Sequence, residues 1–193
     1  MPNWCNNSLT LKHKDPAMIE RAHKALADGR FLQEFVPCPE ELLDPKTSSF
    51  GGEDAEEKNA LRQQLREKYG YESWYDWNIA HWGTKWDVGG DDGLIQKLDA
   101  NTVEASFESA WAPPVNAYER LCAMGFEVKA YYNESGMAFC GVVTGDEEGF
   151  DDDYREYGGT DSTTVREAVG EELDDFWCIS EDMSQWEEEN EDE

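Results

Sequence analysis

"TVEASFESAWAPPVNAYERLCAMGFEVKAYYNESGMAFCGVVTG", Thr102 to Gly145, decides how this chain folds. Val103, Ala105 and Phe107 alternate with acidic and polar residues, the period-two signature of a strand with one wet face. Two prolines then open a run in which Val115, Tyr118, Leu121 and Cys122 share one helical face, and Gly125 closes it. A hairpin follows, turning near Glu134–Gly136. The stretch reads strand, helix, strand, strand.

Working toward the N-terminus, "NNSLTLKH" sets Leu9 and Leu11 against polar neighbours, a first strand. Asp15 is a helix cap, Pro16 suits the first turn, and Gly29 is the stop. Met18, Ala22, Ala25 and Leu26 form that helix's inner stripe. "FLQEFVPCPEELLDP" reads as an extended, proline-broken connector. From Glu53 to Tyr69 the chain is rich in Glu, Lys, Gln and Leu, with Leu61 and Leu65 at i,i+4: a largely solvated helix. In "YESWYDWNIAHWGTKWDVGG" (residues 71–90), Trp74, Trp77 and His81 fall at i, i+3 and i+7 of a short helix ended by Gly83, and "TKWDV" reads as a strand.

The order β–α–insert–β–β–α–β–β predicts an α+β fold: a ferredoxin-like split βαβ antiparallel sheet with helices on one face, inserted helices and an acidic C-terminal helix. Residues 1–145 form the domain, with the helical insert at about 53–83. Residues 146–193 form an acidic linker and an amphipathic helix that packs on the domain or on a partner. In that tail Thr164-x-x-Glu167 matches a capping box, and Val165, Val169, Leu173, Phe176 and Trp177 follow helical spacing. The terminal "WEEENEDE" reads as frayed.

Charge narrows the function. The chain of 193 residues carries 44 Asp and Glu against 16 Lys and Arg, a net of −28. Residues 1–145 hold a net of −9 (23 acidic, 14 basic), and residues 146–193 a net of −19 (21 acidic, 2 basic). Such a surface repels phosphate backbones and anionic membranes, so direct nucleic-acid and membrane binding are disfavoured, and a basic partner is favoured. The five cysteines show no CxxC spacing and read as reduced, mostly buried thiols. The N-terminus lacks a signal-peptide pattern and no apolar run nears ~20 residues, so a cytoplasmic protein is expected.

"MPNWCNNSL", "FVPCPEEL", "YDWNIAHWGTKWD" and "SAWAPPVNAYERL…NESGMAFCG" together resemble the YubB-like proteins of plasmids and bacteriophages. The resemblance covers most of residues 1–145 and implies a ferredoxin-like domain, as in an aphid-symbiont phage protein, and a mobile-element origin. It implies no reaction.

The residues offer several candidate chemistries. A pocket around Trp77, His81, Lys85 and Asp87 would stack a ligand on indoles and do polar work beside them, but the same residues suit a buried aromatic wall with its hydrogen-bond partners. Pro2, once exposed by methionine removal, is a candidate base. Cys5 or Cys140 with His81 is a candidate nucleophile pair, though no spacing argues for it. "GDEEGFDDDY" and "DVGGDDG" are acidic but lack EF-hand periodicity. No catalytic residue, metal or cofactor is expected.

The favoured expectation is a non-enzymatic accessory protein whose acidic surface binds a basic host protein that handles nucleic acid, in the manner of a DNA mimic that inhibits it. The expected contact residues are Glu147, Glu148, Phe150, Asp151, Asp152, Asp153, Tyr154, Tyr157, Glu171, Glu172, Asp174, Asp175 and Trp177: acids interleaved with aromatic anchors. A small-ligand or enzymatic pocket and a homo-oligomeric interaction domain are the alternatives.

Overall fold

The computed structural model describes residues 3–48, 55–90 and 94–190. Six strands form one antiparallel sheet: β1 (Trp4–Lys12), β2 (Ile95–Lys97), β3 (Thr102–Ala110), β4 (Glu127–Glu134), β5 (Phe139–Gly145) and β6 (Phe150–Glu156), in the order β2-β3-β1-β4-β5-β6. The first four strands in that order, with α1 (Pro16–Ala27) after β1 and α6 (Val115–Ala123) after β3, are the split βαβ plan; β5 and β6 extend it beyond β4. Between α1 and β2 lie α2 (Phe31–Phe35), a 3₁₀ turn (Glu40–Leu43), α3 (Pro45–Ser48), α4 (Ala55–Tyr69) and α5 (Trp74–Trp82). After β6 come α7 (Val165–Val169), α8 (Glu171–Trp177) and α9 (Ile179–Asn190).

Period-two alternation assigns the faces. Leu9 and Leu11 of β1, Val103 and Ala105 of β3, Val128, Ala130 and Tyr132 of β4, and Val143 of β5 are buried in one cluster with Ile19, Ala22 and Leu26 of α1 and Tyr118 and Leu121 of α6. Asp15 caps α1 as expected, its carboxylate accepting from Ala17 N at 2.9 Å. The other face carries a second, smaller cluster. Cys140 of β5, Tyr157, Val165, Val169, Leu173 and Ile179 are buried there, with Tyr131 and Val142 packed against them. A thin helical layer thus covers the second face over β4 and β5, adding to the helices on the first.

Several local expectations are corrected. The stretch read as a linker contains β6, paired residue by residue with β5 from Gly145↔Phe150 to Phe139↔Glu156. Its backbone bonds and the packing of Phe150 on the main core outweigh the poor strand propensity of three successive aspartates. "TKWDV" is not a strand. Thr84 Oγ1 donates to Ala110 O (2.9 Å), and the Asp87 carboxylate accepts from Leu32 N (2.6 Å) and Gln33 N (2.9 Å), so side chains tie this segment down where a ladder would have. The strand beside β3 is β2 instead. Those bonds from Asp87 also cap α2, which is why the connector read as extended begins with a helix. The single C-terminal helix is three helices, broken at Gly170 (φ 87°) and Cys178 (φ 55°). The capping box does not form: Asp161 accepts from Thr163 N and Thr164 N, and the Thr164 hydroxyl donates back to it at 2.8 Å. Pro2, Glu53, the end of "DVGGDDG" and the last three residues lie outside the described residues.

Candidate functional site

The acids of the C-terminal quarter fall into two groups. One is built into the fold. Asp174 is 2% exposed and accepts from Ser180 N (2.7 Å), Ser180 Oγ (2.8 Å) and Arg166 Nη1 (2.8 Å). Burial pulls its pKa upward, and the bonds from Ser180 and Arg166 outweigh that and hold the carboxyl below its ordinary value. Arg166 also reaches Glu171 (3.1 Å) and Asp175 (2.6 Å), so one guanidinium ties the start of α8 to α7. Tyr157 is buried and donates to Asn133 Oδ1 at 2.8 Å. Asp174 and Tyr157 are therefore engaged inside the fold and not displayed on the acidic surface. Glu172 accepts from Tyr131 OH (2.5 Å) and Lys129 Nζ (3.3 Å), while the ring of Phe176 stacks on Tyr131 at 3.9 Å.

The second group faces outward. Glu147, Glu148, Asp151 and Asp152 are exposed along the turn into β6 and on β6 itself, with Tyr154 beside them. Although the residue is exposed, the Asp152 carboxylate turns in to accept from Tyr132 OH at 2.6 Å, and this partial burial of the carboxyl raises its pKa; Asp153 pairs with Arg155 at 2.6 Å. Phe150 packs on the main core and Trp177 on the second cluster, so neither is a free anchor. Of the 18 Asp and Glu from 146 to 190, all but Asp153, Asp174 and Glu187 are exposed.

The pocket expected around Trp77, His81 and Lys85 is divided. His81 stacks on Trp77 (4.2 Å, 27°), meets Tyr71 edge-on, and bonds through Nδ1 to Arg120 Nη2 at 2.8 Å. Burial first, and the Arg120 charge second, lower its pKa. Lys85 lies elsewhere, its Nζ 4.5 Å from the Trp86 ring, 5.0 Å from Trp111 and 5.5 Å from Tyr75. Tyr75 and His81 project ~120° apart around α5, which separates the two groups. Asp87 is the cap of α2, and burial raises its pKa against the bonds it accepts. Cys5 and Cys140 are buried, and burial pushes their thiols up to about 12, so they stand as neutral thiols and not as thiolates.

Sequence reasoning missed two features. One is the aromatic group around Lys85, since Trp4, Tyr75 and Trp111 reach it from three segments. The other is a groove of about 670 Å³ on the uncovered half of the second face, floored by Asn6, Ser8, Ser106 and Glu108 and walled by Trp4, Phe176 and Trp177. Among the described residues, no group of three or more His, Cys, Asp or Glu is placed to hold a metal ion, and no helix is long and apolar enough to cross a membrane.

Fold and surface together define a ferredoxin-like α+β protein with an acidic outer layer. The chain belongs to the Api92-like family: the family model for the ferredoxin-like domain in Api92-like protein matches residues 81–191, a span that takes in β6 and the C-terminal helices. A crystal structure of a protein api92 from Yersinia pseudotuberculosis is similar at 12% identity, over 83% of this chain and 99% of that one, with a TM-score of 0.45. No curated protein sequence matches the chain.

Proposed function

We propose that this protein is a non-enzymatic accessory factor of the phage or plasmid type that acts in the host cytoplasm. Its acidic surface occupies the basic, nucleic-acid-binding face of a host protein and so blocks it. The observation that carries this reading is the run of exposed carboxylates from Glu147 through β6 and onto α8 and α9, in a chain of net charge −28. A groove lined with Lys and Arg for duplex DNA meets about one negative charge per ~1.7 Å of axis, and ordered carboxylates on strand and helix can supply a comparable density. Order matters here. The acids of β6 and α8 are fixed by ladder, ion pair and stacking, so their field has a definite shape.

Removing the tail would strip Tyr131, Cys140 and Val142 of their cover, so truncation tests folding and not binding. The informative variant neutralises Glu147, Glu148, Asp151 and Glu171 to their amides in the full chain. Nuclease-treated host lysate is passed over both forms at low and high salt, and each captured protein is then challenged with duplex DNA. The expected result is capture of a basic protein by the native chain alone, lost at high salt, with DNA and the chain competing for it. Equal capture by the neutralised form would overturn the reading.

A further inference from the structure

We infer that the aromatic group around Lys85 is a recognition cage for a cationic side chain, an arginine or lysine of a basic partner, and that Lys85 is its internal placeholder. This rests on the basic-partner reading and names the anchor that reading lacks.

The first observation is the cage itself. The Lys85 ammonium lies over the faces of Trp86, Trp111 and Tyr75 at 4.5, 5.0 and 5.5 Å, within cation–π range of all three. Trp4 continues the wall, 5.9 Å from Trp86. The four rings are 36–43% exposed, an unusual display of indole for a chain that buries Trp77 and Trp82 a few residues away.

The second observation is that the display is held in place. Trp111 has φ 70°, a left-handed backbone that a bulky residue adopts only when its surroundings impose it. The surroundings are a set of bonds directly behind the cage. Trp111 N donates to Asn3 O at 2.9 Å, Asn7 Nδ2 to Ser109 Oγ at 2.8 Å, and Ser109 Oγ to Ala112 O at 2.9 Å. Thr84 Oγ1 donates to Ala110 O, and Asn78 Nδ2 to Lys85 O, both at 2.9 Å. Gly83 makes the close approach possible: its φ is 92°, and a Cβ there would meet Pro113 O at 3.0 Å. Buried polar groups that fix exposed side chains are the mark of a preorganised site.

The third is charge. The three rings surround the chain's own ammonium at Lys85, and the net charge of −28 draws cations toward this chain and repels nucleic-acid phosphates. Trp and Tyr in an exposed cluster also match the residue types that dominate interface energetics.

The test measures binding of a nona-arginine peptide to the full chain by calorimetry at low and at moderate salt, with circular dichroism to confirm folding. At moderate salt, where long-range attraction is screened, Trp86→Ala with Trp111→Ala is expected to weaken binding by about five- to thirtyfold. Lys85→Ala is expected to tighten it by about two- to fivefold, because the placeholder no longer competes. Should the double variant fail to fold, Lys85→Ala and Lys85→Met decide the matter alone. Binding unchanged by the tryptophan and lysine variants would overturn the cage. So would a short oligothymidylate held by the same tryptophans and lost with Lys85, or self-association abolished by Trp86→Ala. The variant with neutralised Glu147, Glu148, Asp151 and Glu171 separates the two claims. If it alone retains native affinity at low salt, the acidic surface fails and the cage stands.

Discussion

The two faces of the sheet are covered in different ways. On the first, α1 and α6 bury a continuous apolar cluster in which Leu9, Leu11, Ile19, Leu26, Tyr118 and Phe126 have at most 1% exposure. On the second, short helices bury six residues and are tied down largely by polar bonds: Arg166 to Asp174, Ser180 to Asp174, Tyr131 to Glu172. Apolar burial is worth ~25 cal/mol per Å², so a continuous cluster outweighs a few intramolecular hydrogen bonds at about 0.5–1.5 kcal/mol each. The first layer thus makes the fold, and the second, together with the turn into β6 and β6 itself, carries the C-terminal acids.

The contrast is broken most directly in the first layer. Phe126 is fully buried, edge-on to Phe35 at 5.4 Å, and Phe126→Ala should cost about 3–5 kcal/mol and lower the denaturation midpoint of every probe together. Leu173→Ala should cost about 2–3 kcal/mol and act locally. Thiol labelling separates the two, since Cys140 lies beneath the second layer and Cys5 beneath the first, both buried. Under native conditions exposed Cys178 should react at once, Leu173→Ala should accelerate Cys140, and Cys5 should stay protected. Equal acceleration at Cys5 would mean that the layers open as one. Arg166→Ala should follow with a smaller loss, because Asp174 loses its counter-charge but keeps Ser180; Asp174→Asn in the same chain should restore part of it.

How much of this was readable in advance follows from where each determinant lies. The strand of Leu9 and Leu11, the helix opened by Asp15 and Pro16, and the unit from Thr102 to Gly145 declare themselves through neighbours, because alternation, caps and stops act within a few residues. The helix at Phe31 does not, since its cap is Asp87, 55 residues away. Nor does β6, whose aspartates argue locally for a loop and whose pairing comes from β5. Likewise the number of acids was plain from composition, but not that Arg166 gathers three of them or that Asp174 is buried. The sequence singles out Lys85 between tryptophans; only the fold brings Trp111 and Trp4 to it.

The smallest effect expected is a divergence with pH between α5 and the β6 edge of the first face. His81 belongs to the first layer, and its lowered pKa means that the folded state favours the neutral ring. An unfolded histidine titrates near ~6.5, so this contribution is present above that value and is lost as pH falls through the lower folded pKa. Asp152, on the acidic edge, behaves in the opposite sense. Burial, with Asp151 and Asp153 adding to it against the bond from Tyr132, raises its pKa above the unfolded ~3.9. Its contribution is complete below ~3.9 and is lost as pH rises through the folded value. Acidification from neutral should therefore loosen the helix of His81 once pH falls below ~6.5, and tighten the edge at β6 as pH falls through the raised pKa of Asp152. His81→Gln should flatten the loss measured by the melting temperature, and Asp152→Asn should flatten the gain measured by amide exchange in β5 and β6. If both variants leave both curves unchanged, these two groups do not set the pH response of either region.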